Sequence, residues 1–324
     1  MKKILVTGAA GYIGSILCNR LLDKRYEVIG VDNLSFGGEA LLSLINNNNF
    51  KFIKADIREK NLVNNLVKGV DSIIHLAAIV GDPACAKEPD KAKEINWDAS
   101  VNLFNCALNN SETKRFIFAS TCSNYGKMKD ETFVNENSTL NPVSLYARLK
   151  VDFENYILNS NTREDFSPVS LRFATVYGLS PRMRFDLTVN EFMRDAFFNG
   201  ELVIYGEQFW RPYCHVEDIA RAIILSLESD QKLIDHNVFN VGDTSENYQK
   251  KMLAEEILKL LPETKIKFVH KEEDPRDYKV DFSKINSILG YKITKNVRDG
   301  LREILEALRN NVITEPYSKK YQNI

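Results

Sequence analysis

Short apolar runs alternate with longer segments of helical periodicity through the first half of the chain. The short runs are rich in β-branched and aromatic residues, as in KILVT at 3–7, EVIGVD at 27–32 and RFIFAS at 115–120. Between them, apolar residues recur every three to four positions, as in GYIGSILCNRLL at 11–22 and KAKEINWDASVNLFNCAL at 91–108. Alternating strands and helices form a parallel sheet that helices cover on both faces. The pattern therefore predicts an α/β fold with a doubly wound, Rossmann-type parallel sheet.

The pattern changes after about residue 173. Loops with prolines there separate helical segments near 189–199 and 217–228 from a strand-like run, NVFNVG, at 237–242. Further helices are predicted near 247–260 and 297–310. Because the strand-like run can return to the main sheet, we expect two domains. Residues 1–173 with about 236–243 form the first, and residues 174–235 with 244–324 form a smaller, discontinuous α/β domain.

Composition and charge exclude several classes of protein. The 324 residues are 44% hydrophobic and 27% charged, which is typical of a soluble globular protein. A net charge of −1 gives no bulk attraction to nucleic acid. No window approaches 18 apolar residues, and the first apolar run is broken by glycines without a cleavage site, so neither a membrane span nor a signal peptide is predicted. The five scattered cysteines are expected to be reduced thiols in a cytoplasmic protein.

The segment TGAAGYIG at 7–14 carries the first chemical signal. Gly8, Gly11 and Gly14 lie between a predicted strand and a predicted helix, where glycine lets the backbone approach a pyrophosphate at the helix N-terminus. Asp32 ends the next strand, 18 residues beyond Gly14, where an acid accepts hydrogen bonds from both ribose hydroxyls of adenosine. The residues after it, Asn33 and Leu34, bring no positive charge for a 2′-phosphate. A dinucleotide site that prefers NAD to NADP is predicted.

Two further signals lie later in the chain. Asp56, after the FKFIKAD strand, can hold the adenine amino group or simply cap the next helix. Tyr146 and Lys150 are four residues apart in a helical segment, so they lie on one face of a helix. A solvated helix face often carries this spacing by chance. Here, however, it follows the fifth strand, and Thr121 ends that strand 25 residues upstream.

Several landmarks together resemble the extended short-chain dehydrogenase/reductases that act on nucleotide sugars. They cover nearly the whole chain in order: TGAAGYIG, HLAA at 75–78, FASTCSNYG at 118–126, YARLK at 146–150, LRFATVYG at 171–178, WRPYCHVEDIA at 210–220 and DFSKINSILGY at 281–291. The resemblance implies that Tyr146 is the catalytic base, that Lys150 binds the nicotinamide ribose and that Thr121 bonds the reacting hydroxyl. It implies a structural role for Asn96 in positioning the active-site helix. The full set of residues expected to contact NAD is Gly8, Gly11, Tyr12, Ile13, Gly14, Asp32, Asn33, Asp56, Ile57, Leu76, Ala77, Ala78, Asn96, Tyr146, Lys150 and Phe173.

A tyrosine base has an energetic requirement that can be checked separately. With an ordinary pKa of ~10, a phenol needs ~4 kcal/mol of preference for its anion to act near pH 7. One cation ~4 Å away, at an effective dielectric constant of ~20, supplies ~4 kcal/mol before burial opposes it. Lys150 and the positive nicotinamide ring are therefore expected to suffice.

The two residues after Thr121 bear on the type of reaction. In the family's 4,6-dehydratases these positions hold an aspartate and a glutamate, which act as acid and base in the elimination of water. Cys122 and Ser123 stand there in this chain and cannot act as such a pair at ordinary pKa. The 4-epimerases of the family have small residues there, which leave room for a sugar ring to rotate. Cys122 is either a reactive thiol or, as we expect, a small packing or wall residue.

Basic residues in the second half are the candidates for binding substrate. Asn190, Arg211 and Arg276 lie where relatives hold the nucleotide diphosphate, and the forked guanidinium suits phosphate oxygens. Arg182 and Arg184, in SPRMRFDLTVN at 180–190, either clamp phosphate or are solvated loop charges. This segment and DPRDYKVDFSKI at 274–285 are similar to GDP-heptose 4-dehydrogenases of capsule polysaccharide biosynthesis.

The sequence thus predicts NAD-dependent oxidation of the carbon 4 hydroxyl of a nucleotide-diphosphate sugar. The keto sugar leaves in a GDP-heptose-type 4-dehydrogenase, which then needs an acceptor such as a small keto acid to reoxidise NADH. It recovers the hydride in a UDP-hexose-type 4-epimerase. A non-catalytic NAD-sensing module is the third reading. We expect no metal, because the four histidines lack ligand spacing. We also expect a homodimer through the helices near 90–109 and 145–160.

Overall fold

The structure, a computed structural model, describes residues 1–127, 132–272 and 276–323. Its strands follow the predicted β-rich runs in the first half of the chain. In chain order they are Lys3–Thr7 (β1), Glu27–Asp32 (β2), Phe50–Lys54 (β3), Ser72–His75 (β4), Arg115–Thr121 (β5), Phe133–Val134 (β6), Ser167–Phe173 (β7), Thr175–Tyr177 (β8), Glu201–Tyr205 (β9), Trp210–His215 (β10), Asn237–Val241 (β11), Asn247–Gln249 (β12), Lys265–Val269 (β13) and Lys279–Val280 (β14).

Seven of these strands form one parallel sheet with the order β11-β7-β5-β4-β1-β2-β3. The predicted α/β parallel sheet is thereby confirmed. The strand-like run at 237–242 does return to it, because β11 pairs with β7 in parallel register. The chain leaves β1 toward β2 on one side and reaches β4 on the other, so the strand order reverses between β1 and β4. A parallel sheet binds ligands at the carboxyl ends of the strands beside such a reversal.

The helices cover both faces of the sheet. Apolar residues of α1 and α8 pack on one face, and those of α2, α5 and α6 pack on the other. In chain order the helices are Tyr12–Asp23 (α1), Lys60–Leu66 (α2), Asp82–Lys87 (α3), Pro89–Lys93 (α4), Ser100–Asn109 (α5), Leu145–Leu158 (α6), Thr188–Asn199 (α7), Val216–Glu228 (α8), Gln231–Ile234 (α9), Lys250–Leu260 (α10), Ser283–Leu289 (α11) and Val297–Arg309 (α12). None of the helices in the described ranges is long and apolar enough to cross a membrane.

The helical segment predicted at 91–108 is interrupted. A π-helical stretch, Glu94–Ala99, lies between α4 and α5. One extra residue per turn changes which side chains face inward, and such stretches occur frequently at functional sites. Here it brings Asn96 to the loop that follows β4, where its side chain is buried.

A second hydrophobic cluster lies apart from the two faces of the sheet. It joins α7, α10 and α12 with β9 and β10, through side chains such as Met193, Ile257, Ile304, Ile204 and Tyr213. Tyr12, at the start of α1, also belongs to this cluster. The second cluster therefore meets the sheet at the glycine turn that follows β1.

Candidate active site

The glycine turn between β1 and α1 is too tight for side chains. Gly8 has a φ of +75°, and a Cβ atom on it would lie 2.9 Å from the backbone nitrogen of Ala77. A Cβ atom on Gly14 would lie 2.0 Å from the carbonyl oxygen of Gly8. Gly11 precedes α1 and gives the helix no side-chain cap. No side chain of the cap residue bonds the first N–H groups of the helix, at Tyr12 and Ile13. These groups can therefore donate to the pyrophosphate of a dinucleotide.

Asp32, at the end of β2, lies beside this turn. Its Oδ2 accepts a hydrogen bond from the N–H of Ala10 at 3.0 Å, and its Oδ1 accepts one from Leu34 at 2.8 Å. Burial raises the pKa of Asp32, while these N–H groups and the charge of Arg182 oppose the rise. The carboxylate is therefore held in a fixed orientation with lone pairs left for ribose hydroxyls, as NAD requires.

The predicted adenine contacts lie together next to Asp32. The side-chain amide of Asn33 donates to Asp56 at 3.4 Å. Arg58 binds the same carboxylate, and these hydrogen bonds lower the pKa of Asp56 to about 2. The alternative role of Asp56 as a helix cap is wrong, because α2 begins at Lys60 with Glu59 at the cap position. Ile57 is buried in a small apolar cluster, which leaves its backbone as the part able to face a cofactor.

Asn96 holds the loop after β4. Its Oδ1 accepts from the N–H of Ile79, and its Nδ2 donates to the carbonyl of Ile79, both at 2.8 Å. Its side-chain amide is therefore occupied by the backbone of Ile79, the residue that follows Leu76, Ala77 and Ala78. The predicted contact of Asn96 with NAD stays a prediction. Phe173 is buried at the end of β7, paired in register with Thr121.

The three predicted catalytic residues converge at the carboxyl end of β5. Ser144 caps α6, which carries Tyr146 in its first turn and Lys150 one turn later. The Nζ atom of Lys150 donates to the carbonyl of Ala119 at 2.7 Å and lies 5.8 Å from the centre of the Tyr146 ring. The hydroxyl of Thr121 accepts a hydrogen bond from the N–H of Ser123 at 3.1 Å, and its own hydrogen is left for another acceptor. The group can hold an alcohol and remove its proton.

Burial changes the expected charges of this group. It raises the pKa of Tyr146, and the charges of Cys85 and Asp82 raise it further, whereas Arg184 lowers it. It also lowers the pKa of Lys150 to about 8. Burial thus opposes both the phenolate and the ammonium, as expected for charges that leave water. The expectation that Lys150 and the positive nicotinamide ring together favour the phenolate of Tyr146 stays a prediction.

Asp82 and Ser144 were missed by the sequence analysis. The hydroxyl of Ser144 donates to Oδ1 of Asp82 at 2.5 Å, which ties the start of α3 to the cap of the catalytic helix. Arg276 forms an ion pair with Oδ2 of Asp82 at 3.2 Å. The available signal was the Asp-Pro pair that opens α3 soon after the end of β4, since this pair is common at a helix start.

The positions after Thr121 differ in their access to the site. Cys122 is 1% exposed, and its thiol donates to the carbonyl of Arg172 at 3.3 Å. Burial raises its pKa, so Cys122 is neither a reactive thiol nor a direct substrate contact, and the prediction that it binds substrate is wrong. Ser123 is partly exposed, and its hydroxyl accepts a hydrogen bond from Tyr278 at 3.4 Å.

The predicted phosphate-binding residues do not all lie together. The guanidinium group of Arg211 lies 5.3 Å from the ring centre of Tyr278. Arg211 and Arg276 both lower the pKa of that tyrosine, which burial raises, so both charges lie near Ser123.

Asn190, in contrast, is fully buried. Its amide bonds the backbone of Gly178 and Arg184 and the hydroxyl of Tyr12, so the prediction that it contacts phosphate directly is wrong.

Arg182 and Arg184 make different contacts. Arg184 forms a two-point ion pair with Asp186 at 2.9 and 2.7 Å. Arg182 lies at the adenosine end of the site, above Phe36 and within the electrostatic reach of Asp32. Its charge therefore acts beside the acid that ends β2. The described ranges contain no group of three or more His, Cys, Asp or Glu side chains that could hold a metal ion.

Comparison with known proteins agrees with this geometry. The chain belongs to the NAD dependent epimerase/dehydratase family, whose sequence profile matches residues 4–242. It is thus an NAD-dependent enzyme of the extended short-chain dehydrogenase/reductase type that acts on nucleotide sugars. Among curated proteins it is similar to the uncharacterized UDP-glucose epimerase YtcB of Bacillus subtilis (strain 168). The two are 32% identical over 311 residues, which is 92% of this chain and 95% of that protein.

Two solved structures show the same fold over almost their whole length. One is the UDP-N-acetylglucosamine 4-epimerase of Methanobrevibacter ruminantium M1 in complex with UDP-N-acetylmuramic acid. It is 29% identical with a TM-score of 0.84, over 95% of this chain and 98% of that one. The other is DesIV, a dTDP-glucose 4,6-dehydratase from Streptomyces venezuelae with NAD bound. It is 26% identical with a TM-score of 0.84, over 95% and 97% of the two chains.

Proposed function

We propose that the enzyme oxidises the carbon 4 hydroxyl of a nucleotide-diphosphate sugar with NAD, using Tyr146 as the base. The observation that carries this proposal is the convergence of Thr121, Tyr146 and Lys150 at the carboxyl end of β5. This edge of the sheet also carries the glycine turn after β1.

Each of the three residues has a separate proposed role. Thr121 donates a hydrogen bond to the reacting oxygen, and Tyr146 removes the proton from it. Lys150, which is anchored on the carbonyl of Ala119, is placed to bind the nicotinamide ribose and to favour the phenolate. Bound NAD supplies the acceptor for the hydride that leaves carbon 4.

The site lacks the acid and base that water elimination requires at the positions after Thr121. Cys122 faces the protein interior, and Ser123 carries only a hydroxyl that already accepts a bond from Tyr278. DesIV is a 4,6-dehydratase. For this chain we propose oxidation to the 4-keto sugar without the loss of water.

Two fates of that keto sugar are supported by different observations. YtcB and the Methanobrevibacter enzyme carry names of 4-epimerases or epimerases of UDP sugars, which favours return of the hydride and epimerisation. The segment at 180–190 favours release of the keto sugar, because it resembles GDP-heptose 4-dehydrogenases. In that case a second substrate such as a keto acid must reoxidise NADH.

The binding of substrate is proposed on the same basis. Arg211 and Arg276, which both lie near Tyr278, bind the diphosphate oxygens. The region of the second hydrophobic cluster then forms the sugar-nucleotide domain, and residues 1–173 with β11 form the NAD domain. We also propose a homodimer through α5 and α6.

Mass spectrometry distinguishes the outcomes. The purified enzyme is incubated with UDP-, GDP- and dTDP-sugars, with and without a keto-acid acceptor. A product lighter by two mass units that depends on the acceptor identifies a dehydrogenase, and an isomer of unchanged mass identifies an epimerase. A loss of eighteen mass units would refute the proposal.

A further inference from the structure

Arg182 is a buried guanidinium group whose hydrogen-bonding capacity is only partly used. The side chain is 7% exposed, and its guanidinium carbon lies 4.6 Å from the centre of the Phe36 ring. Within the described ranges, its Nε and Nη1 atoms are buried without a hydrogen-bond partner. Burial lowers its pKa to about 10. Burying two donors of a cation without acceptors is costly, so a residue in this state is expected to meet a ligand.

The position of Arg182 identifies the part of the ligand. Phe36 lies in the loop that follows Asp32, and the charges of Asp32 and Arg182 act on each other. The hydroxyl of Ser180 donates to the carbonyl of Tyr12 at 2.7 Å. The loop that leads to Arg182 therefore lies against the start of α1. The guanidinium group is therefore between the ribose-binding acid and the pyrophosphate-binding helix.

Residues 321–323 hold the segment that carries Arg182. The Nη2 atom of Arg182 donates to the carbonyl of Gln322 at 3.0 Å, and the N–H of Phe185 donates to the carbonyl of Tyr321 at 2.9 Å. The ring of Tyr321 meets that of Phe185 edge to face, with 5.6 Å between the centres. The N–H of Asn323 donates to Asp186 at 3.2 Å.

One side of the segment borders a cavity, although its side chains Met183 and Phe185 are buried. This cavity, of about 410 Å³, lies between the segment and the end of α12, and Leu179, Pro181, Ile313 and Tyr321 are among its lining residues. The three hydrogen bonds, one of them between backbone groups, and the ring contact to residues 321–323 then fix Arg182 over Phe36.

We propose that Arg182 binds the adenosine diphosphate half of NAD through Nε and Nη1, with ribose or phosphate oxygens as acceptors. Residues 321–323 act as a clasp that positions Arg182 and so controls how tightly the cofactor is retained. The proposal rests on NAD binding and not on the sugar reaction, so it stands whichever keto-sugar fate is found.

The test compares two kinds of ligand by calorimetry, using the full chain freed of cofactor. ADP-ribose probes the cofactor site, whereas UDP, GDP and dTDP probe the substrate site. Arg182→Gln is expected to weaken ADP-ribose binding about tenfold to a hundredfold, which is the range for hydrogen bonds to a charged group. Binding of the nucleoside diphosphates should be unchanged. Arg302→Gln, which removes an exposed arginine of α12, is the control and should change neither.

A double-mutant cycle tests the clasp. Tyr321→Ala should also weaken ADP-ribose binding, and Arg182→Gln combined with Tyr321→Ala should be no weaker than Arg182→Gln alone, because the clasp acts through Arg182. Tyr317→Ala is the matched control, since that ring packs on Phe198 and Arg194 instead. Additive losses would overturn the positioning role of residues 321–323.

Two results would overturn the assignment of Arg182. One is unchanged affinity for ADP-ribose in Arg182→Gln. The other is a loss confined to nucleoside diphosphates, which would return Arg182 to the substrate site. Arg182→Lys, which keeps a charge but not the fork, serves as a second variant if Arg182→Gln does not fold. It should show a loss of affinity for ADP-ribose alone, and wild-type affinity in it would equally overturn the assignment.

Discussion

Replacing Lys150 by methionine should make the cofactor-free protein more stable near neutral pH, and this gain should shrink as the pH rises. Lys150 is 5% exposed, with its ammonium bonded to the carbonyl of Ala119. Burial lowers its pKa from 10.5 to about 8. Below about pH 8 the charged side chain therefore lowers the free energy of unfolding by its full amount. As the pH rises toward 10.5, the native state has already lost the proton that the unfolded state still binds, so this destabilisation fades.

The magnitude follows from the two pKa values. The difference between 10.5 and about 8 corresponds to ~3 kcal/mol of destabilisation at pH 7. At pH 9.5 the unfolded lysine is still mostly protonated and the native one is not, which leaves ~1.4 kcal/mol. The wild-type protein should therefore gain ~2 kcal/mol relative to Lys150→Met between these two pH values.

Urea denaturation of both proteins at pH 7 and pH 9.5 measures this change, because contributions from the many tyrosines cancel in the difference. Lys259→Met, which removes an exposed lysine of α10, controls for the loss of a lysine as such. A difference between wild type and Lys150→Met that is the same at both pH values would refute the reasoning. It would show that burial does not lower the pKa of Lys150. The proposed need for bound NAD to favour the phenolate of Tyr146 would then lose its support.

Three further variants test other parts of the site. Tyr146→Phe should retain NAD but lose turnover by about 10²-fold or more, as steady-state rates and cofactor content will show; substantial residual turnover would remove Tyr146 as the base. Gly14→Ala places a methyl group 2.0 Å from a carbonyl oxygen and should lose NAD binding in calorimetry. Gly69→Ala, which has open space but a φ of +68°, should lose some stability yet bind NAD normally. Glu154→Gln removes the buried partner of Arg172 and should cost about 3–5 kcal/mol in chemical denaturation; a loss below ~1 kcal/mol would show that the pair is not important for stability.

Local patterns were enough to predict the sheet and the helix that carries Tyr146 and Lys150. The alternation of strands and helices, the glycine spacing and the Tyr-x-x-x-Lys pair are all properties of neighbouring residues. The return of β11 to the sheet also followed from a single β-rich run. The π-helical stretch at Glu94–Ala99 did not, because periodicity cannot show one extra residue per turn inside a long helical segment.

Long-range placement accounts for what was missed. Arg182 lies 150 positions after Asp32, so no local pattern indicates that its charge reaches the ribose-binding acid. Asn190 has the residue type of a phosphate ligand, yet Gly178 and Arg184 use its amide. Cys122 and Ser123 are neighbours whose side chains face opposite environments, and sequence alone does not show which one faces inward. Desolvation of Tyr146 and Lys150 likewise depends on the surrounding packing.

The most direct test of the proposed chemistry is to follow the hydrogen on carbon 4. Purified enzyme loaded with NAD is mixed with an accepted nucleotide sugar that carries deuterium at that carbon, and the cofactor is then released and analysed by mass spectrometry. We expect reduced cofactor that contains deuterium in the wild type and none in Tyr146→Phe. Reduced cofactor without deuterium, or turnover of the sugar with no reduced cofactor at any time, would contradict oxidation at carbon 4.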